Sequence, residues 1–219
     1  MNPQIIETIK NPDLIEIISD TSEVIIDSFL ESGIIKDIPL IGTLYKGVKV
    51  VSSIQDRLFT IKLVNFIKQL ENTDLRQRCK MIEDIEANEN IKSKVGKKVL
   101  FIIDKCEDDE KAKLMGFLFK EFLEEKFTYE DFLKISNSIN TLSINDINLI
   151  FLNKSYINAF LHNNPNYYLS SGLFNVKFET YLNTNNRVKK AGEIDSYYSI
   201  NEIGKKLLKT LESYYNKQQ

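Results

Sequence analysis

The sequence predicts a mainly α fold, a helical bundle followed by a small α+β element at the C-terminal end. Three observations carry that expectation. Apolar residues recur at helical spacing through the first two thirds of the chain, and helix-start signatures punctuate it. Two-residue alternation enters only after about Tyr167. With 219 residues, 42% hydrophobic and 27% charged, the chain has the composition of a folded globular protein rather than a disordered one.

Residues 1–53 read as an acidic arm and an amphipathic, glycine-containing segment. Residues 1–37 hold eight acids against two bases. Gly33–Ser53 is apolar yet carries three glycines and Pro39. Glycine costs helix stability, so this density implies close packing, a bend or membrane contact. Two readings stand side by side. In one, the segment is a buried hairpin or kinked helix with close backbone approaches at Gly42 and Gly47. In the other, Ile38, Leu40, Ile41, Leu44 and Val48, flanked by Lys46 and Lys49, contact a membrane surface or a partner. Either way, Gly42 and Gly47 are expected to matter more than the segment's charges.

Residues 54–142 read as the helical core. Within Ile54–Leu70 apolar residues cover more than half the helix circumference, which predicts a central helix. Ile91, Val95, Val99, Ile102, Ile103 and Cys106 form one stripe of a helix of about four turns. Leu114, Met115, Leu118 and Phe122 form another, and Phe132, Ile135, Ile139 and Leu142 a third. Thr128-x-x-Asp131, Ser143-x-x-Asp146 and Ser199-x-x-Glu202 each place a hydroxyl at an N-cap and a carboxylate at N3. Lys126–Phe127 then links two antiparallel helices.

Residues 143–219 read as the C-terminal domain, whose character changes from about Tyr167. Val176–Leu182 alternates as a strand does, residues 183–186 (NTNN) form a turn, and Ser196–Tyr198 return as a second strand. A capped helix ending near Tyr215 closes the chain.

The net charge of −2 argues against a general nucleic-acid binder. Acid-rich stretches (1–37, 81–131) alternate with base-rich ones (38–80, 132–219), a pattern suited to pairing within the chain. Cys79 and Cys106 stand alone, and the N-terminus lacks a secretion signal, which together predict a reducing cytoplasm. No transmembrane helix is expected, so any membrane contact would be peripheral, at the inner membrane. The sole histidine, His162, lies among asparagines and reads as a loop residue. Glu107–Glu110 reads as a helix start, since it lacks the spaced ligands and turn glycine of a calcium loop. No nucleophile–base pair, phosphate loop or metal motif is present in the sequence, which predicts a protein with no enzymatic activity, cofactor or metal.

The C-terminal segment resembles the last part of a winged-helix domain. Such chains carry a Leu-x-x-Gly-Leu element before the wing and a Tyr-x-aliphatic-Thr-x-x-Gly element after it. Leu169, Gly172, Leu173, Tyr198, Ile200 and Gly204 match this pattern, with Asn201 in place of threonine. The resemblance implies that Arg187, Lys189 and Lys190 lie on or beside the wing, positioned for phosphate contact. The stretch in the recognition-helix position, residues 166–173, has no Arg or Lys, which favours protein docking over base readout.

Residues 25–140 are similar to a group of bacterial helical proteins of genomic and mobile-element islands. The similarity rests on DIPLIG (37–42), IQDRLFTIKLVNFI (54–67), VGKKVLFIIDKCEDDEKAKLMGFLF (95–119) and FTYEDFLKIS (127–136). It implies a bacterial protein linked to phage–host conflict. The expected function is therefore that of an interaction protein, a phage-defence effector or accessory that associates with itself, a protein partner or a membrane surface. A winged-helix DNA-binding regulator is the alternative.

Overall fold

The computed structural model describes residues 3–11, 54–70, 73–87, 95–180 and 194–217. Of these residues, 72% are helical, and the strands form one small antiparallel sheet near the C-terminus. Contacts divide the chain into two compact units, residues 1–132 and 133–219.

In the first unit, α1 (Pro3–Lys10) packs on α3 (Leu75–Ala87) and α4 (Val95–Lys105). Helix α2 (Ile54–Lys68) packs on α4 and, most extensively, on α5 (Asp109–Leu123). The central helix is α5, where Lys111, Ala112 and every residue from Leu114 to Leu123 are buried. The helix expected to be central, Ile54–Leu70, is its main packing partner. Helix α2 buries its C-terminal half, from Leu63 to Ile67, while Leu58 remains 52% exposed. Charge hides the centrality of α5 in the sequence. Lys111 is buried with its Nζ 3.1 Å from Glu107, Lys120 lies 3.6 Å from Glu124, and Glu121 pairs with Lys126.

Helices α2 and α5 meet backbone to backbone at Gly116. A Cβ there would stand 2.3 Å from the Phe66 carbonyl oxygen and 2.8 Å from its Cα. Beside that crossing, the Phe119 ring lies 5.4 Å from Phe66, 5.8 Å from Phe122 and 5.4 Å from Phe132. The stripe on α4 is buried at Val99, Ile102 and Ile103, with Cys106 just past the helix end, while Ile91 lies outside the described residues. Lys62 closes that end by donating to the carbonyl oxygens of Asp104 (3.1 Å) and Cys106 (2.7 Å), a cation where the helix dipole is negative.

Most helix starts follow the sequence. Asp108 accepts the Lys111 N–H (2.8 Å), which gives the acidic run 107–110 a capping role. At α6 (Tyr129–Thr141), Thr128 Oγ1 accepts the Asp131 N–H (3.2 Å) and Asp131 Oδ2 accepts the Thr128 N–H (3.2 Å). Ser143 caps α7 (Ile144–Leu152) by accepting the Asp146 N–H (3.1 Å). Ser199 is the exception, because it lies inside a strand, where its backbone follows the ladder. Asn201, the first residue past that strand, caps the final helix instead.

The second unit continues from α6 and α7 through a 3-10 turn (Lys154–Tyr156), α8 (Ile157–Leu161) and α9 (Pro165–Leu169). Strands β1 (Phe174–Thr180) and β2 (Ile194–Ile200) follow, then α10 (Glu202–Asn216). The strands pair antiparallel in the register Phe174–Ile200, Val176–Tyr198, Phe178–Ser196 and Thr180–Ile194. Both run further than Val176–Leu182 and Ser196–Tyr198 suggested at their inner ends, and residues 181–193 lie outside the described residues.

Candidate functional site

The second unit brings the matched residues around residues 169–174 together at the foot of its hairpin. After α9, Ser171 Oγ donates to the Tyr168 carbonyl oxygen (2.6 Å) and accepts the Leu173 N–H (3.3 Å). Ser138 Oγ donates to the Ser171 carbonyl oxygen (2.6 Å), and Gly172 takes a left-handed φ of 74°. Asn201 then clasps both ends of the hairpin. Its Nδ2 donates to the Gly172 carbonyl oxygen (2.8 Å), its N–H donates to Leu173 (3.0 Å), and its Oδ1 accepts the Gly204 N–H (2.9 Å). Gly204 must be small, since a Cβ would stand 2.5 Å from the Leu173 carbonyl oxygen and 2.6 Å from Ile200 Cγ2.

The outer side of β2 is anchored. Asn158 Oδ1 accepts the Tyr198 N–H (2.7 Å), and the His162 ring stands edge-on to Tyr198 at 5.1 Å. His162 is exposed, ends α8, and has no catalytic partner among the described residues.

One face of the hairpin runs from core to water. Phe174 and Tyr198 at its foot are buried, and Val176 is exposed. Phe178 and Ile194, further out on that face, are each 64% exposed. The opposite face is polar, with Lys177 paired to Glu179 (2.8 Å) and the Tyr197 hydroxyl donating to Asp195 (3.3 Å). Alternation in the sequence marked Val176 and Phe178 as one face, which ordinarily means burial. The strand outruns the helices that cover its foot, so the same alternation here produces an exposed apolar strip.

A second apolar patch lies at the end of α7, where Leu149, Leu152 and Tyr156 are exposed. Nearby, Asp146 ties α7 to α9. It accepts from Tyr167 (2.7 Å), Tyr168 (3.2 Å) and the Ser143 hydroxyl. Partial burial pushes its carboxyl up, but those hydrogen bonds together hold it below the usual carboxylate range. Burial and the Asp146 charge push the Tyr168 phenol up to about 12.

The first unit offers less. A shallow groove of about 410 Å³ is lined by Gln55, Phe59, Leu100, Phe101 and Asp104. Lys98 and Lys105 lie over the Phe101 ring at 5.2 Å and 5.5 Å, which partly covers it. Burial pushes the Cys106 thiol up to about 12, which disfavours the reactive thiolate. Among the described residues, no group of three or more His, Cys, Asp or Glu is placed to hold a metal ion. No described helix is long and apolar enough to cross a membrane.

Ile38, Leu40, Ile41, Leu44, Lys46, Val48 and Lys49 lie outside the described residues, as do Gly42 and Gly47. Arg187, Lys189 and Lys190 lie in the stretch that joins the two strands, also outside them. Comparison of the sequence and structure with protein-family models, curated proteins and solved structures finds no match.

Proposed function

We propose that this is a non-enzymatic interaction protein whose C-terminal unit is a winged-helix-like module docking a protein partner through its hairpin. The observation that carries this reading is the exposure of Phe178 and Ile194 on a face whose foot is core. Isolated exposed apolar residues are ordinary on protein surfaces. A strip continuous with the core and backed by a paired strand is a preformed contact surface. Strand β1 has β2 on one side and no further strand on the other among the described residues, so a partner could also add to its edge.

The clasp by Asn201 and the close approach at Gly204 support the winged-helix-like reading. That likeness also sustains a second reading, binding to duplex DNA through Arg187, Lys189 and Lys190. The described part of the hairpin does not favour it, because Lys177 is paired with Glu179 and Asp195 lies on the same face.

The test uses the full chain with Phe178→Ser and Ile194→Ser combined. The variant is expected to melt like the wild type while losing self-association by sedimentation, or losing a host partner that a photo-crosslinker at position 178 captures from the wild type. Unchanged association would sink the docking reading. Duplex binding that weakens steeply with salt and survives the double substitution would put the DNA reading in its place.

A further inference from the structure

Helix α3 opens on Asp74, whose Oδ1 accepts the Arg76 N–H (3.2 Å) while its carbonyl oxygen accepts the Arg78 N–H (3.0 Å). That geometry makes Asp74 the cap, Thr73 the residue before it, and Arg78 the fourth helical residue. Those flanking positions lie side by side at a helix start and are usually both apolar, packed as a staple. Here both are polar and both are buried, Thr73 at 2% and Arg78 at 0% exposed.

Thr73 Oγ1 and Arg78 Nε, Nη1 and Nη2 have no hydrogen-bond partner among the described residues. A buried guanidinium does not escape by losing its proton, because its pKa starts too high. Burial lowers that pKa, and among the described residues Cys79 and Asp74 oppose the shift. Asp74 is exposed and already engaged with the helix start. An uncompensated buried charge would consume a large share of a domain's stability.

We propose that Thr73 and Arg78 form an oxyanion-binding site at the start of α3. The guanidinium fork presents paired donors to two oxygens, the threonine hydroxyl donates to the oxyanion as well, and the positive end of the 13-residue helix adds to the field. The ligand chemistry is that of a free oxyanion carrying a phosphate or carboxylate group. This site lies in the first unit and does not depend on the hairpin's role.

The experiment is a thermal melt of full-length wild type, Arg78→Met, Arg78→Lys and Thr73→Val. Inorganic phosphate is titrated at constant ionic strength, with chloride as the control. A melting temperature that rises with phosphate in the wild type, loses that response in Arg78→Met and needs about tenfold more phosphate in Thr73→Val establishes a free-oxyanion site. No phosphate response in the wild type overturns the proposal even where Arg78→Met melts lower, because truncating a fully buried side chain destabilises by itself. Arg78→Met melting at or above the wild type, with no phosphate response in either, overturns the proposal, because the buried guanidinium then has no anion to lose. Should Arg78→Met fail to fold, Arg78→Lys and Thr73→Val decide. Either one responding less to phosphate than the wild type supports the site, and no phosphate response in the wild type overturns it.

Discussion

In the first unit the buried side chains include Arg78, Lys111, Lys120 and Glu121, and its aromatic cluster is enclosed among helices. In the second unit no described Lys, Arg, Asp or Glu is buried, whereas Leu152, Tyr156, Phe178 and Ile194 stand in water. The first unit is not free of exposed apolar groups, but its exposed Phe101 has two lysine ammonium groups over its ring. The contrast separates two kinds of cost. Buried charges are tolerated where partners or packing demand them, and exposed hydrophobes are retained where a contact surface needs them.

If the first unit is the rigid one, its tightest crossing should give the largest effect. Gly116→Ala places a Cβ against Phe66 backbone atoms, which cannot rotate away, and is expected to destabilise by about 3 kcal/mol. Gly204→Ala should cost less, about 2 kcal/mol, because Ile200 Cγ2 can move although the Leu173 carbonyl oxygen cannot. Chemical denaturation of both variants, followed by hydrogen exchange resolved by unit, measures the order and where protection is lost. Equal effects, or a larger one at Gly204, would break the distinction between the units.

Next in size is Asp146→Asn, expected to cost about 1–2 kcal/mol near neutral pH through weakened hydrogen bonds from Tyr167, Tyr168 and Ser143. The pH sign follows from the depressed carboxyl. Its contribution is fully present above the usual value of 3.8 and is lost as pH falls through the lower folded value. Stability profiles into acid should therefore converge for wild type and variant. Profiles that stay parallel would mean that Asp146 is not a linked group.

The two cysteines sharpen the contrast within the first unit. Cys106 is buried, donates to the Ile102 carbonyl oxygen (3.4 Å) and has its pKa pushed up to about 12. Cys79 is part-exposed. Alkylation at mildly alkaline pH, read site by site by mass spectrometry, should label Cys79 in the native protein and Cys106 only after unfolding. Comparable native rates would show that the end of α4 opens readily.

How legible this was depended on whether burial followed polarity. The stripes at Val99–Cys106, at Leu114–Phe122 and at Phe132–Leu142 were readable because their apolar residues are the buried ones. The centrality of α5 was hidden because Lys111, Lys120 and Glu121 are buried as ionic side chains. The cap at Ser199 was misread because a hydroxyl-x-x-carboxylate spacing does not reveal that its first residue belongs to a ladder, whereas Asn201 follows the strand. At the hairpin, alternation showed which side chains share a face but not where the covering helices stop. Thr73 and Arg78 carried no signal at all, since staple positions are recognised in sequence by being apolar.

The smallest expected effect on stability bears most on function. Phe178→Ser removes a side chain that is 64% exposed and lies opposite Ser196, so little buried area is lost. Its melting temperature should match the wild type, corresponding to a change within about 0.5 kcal/mol. The same truncation at Phe174, on the same face but buried at the foot, should cost about 3 kcal/mol. The pair compares two phenylalanines four residues apart on one strand, so chemistry and backbone are held constant while burial changes. If Phe178→Ser instead destabilised the isolated chain as strongly as Phe174→Ser, Phe178 would be covered in solution by the chain itself. The outer part of the strip would then be core, and its exposure would no longer argue for a partner.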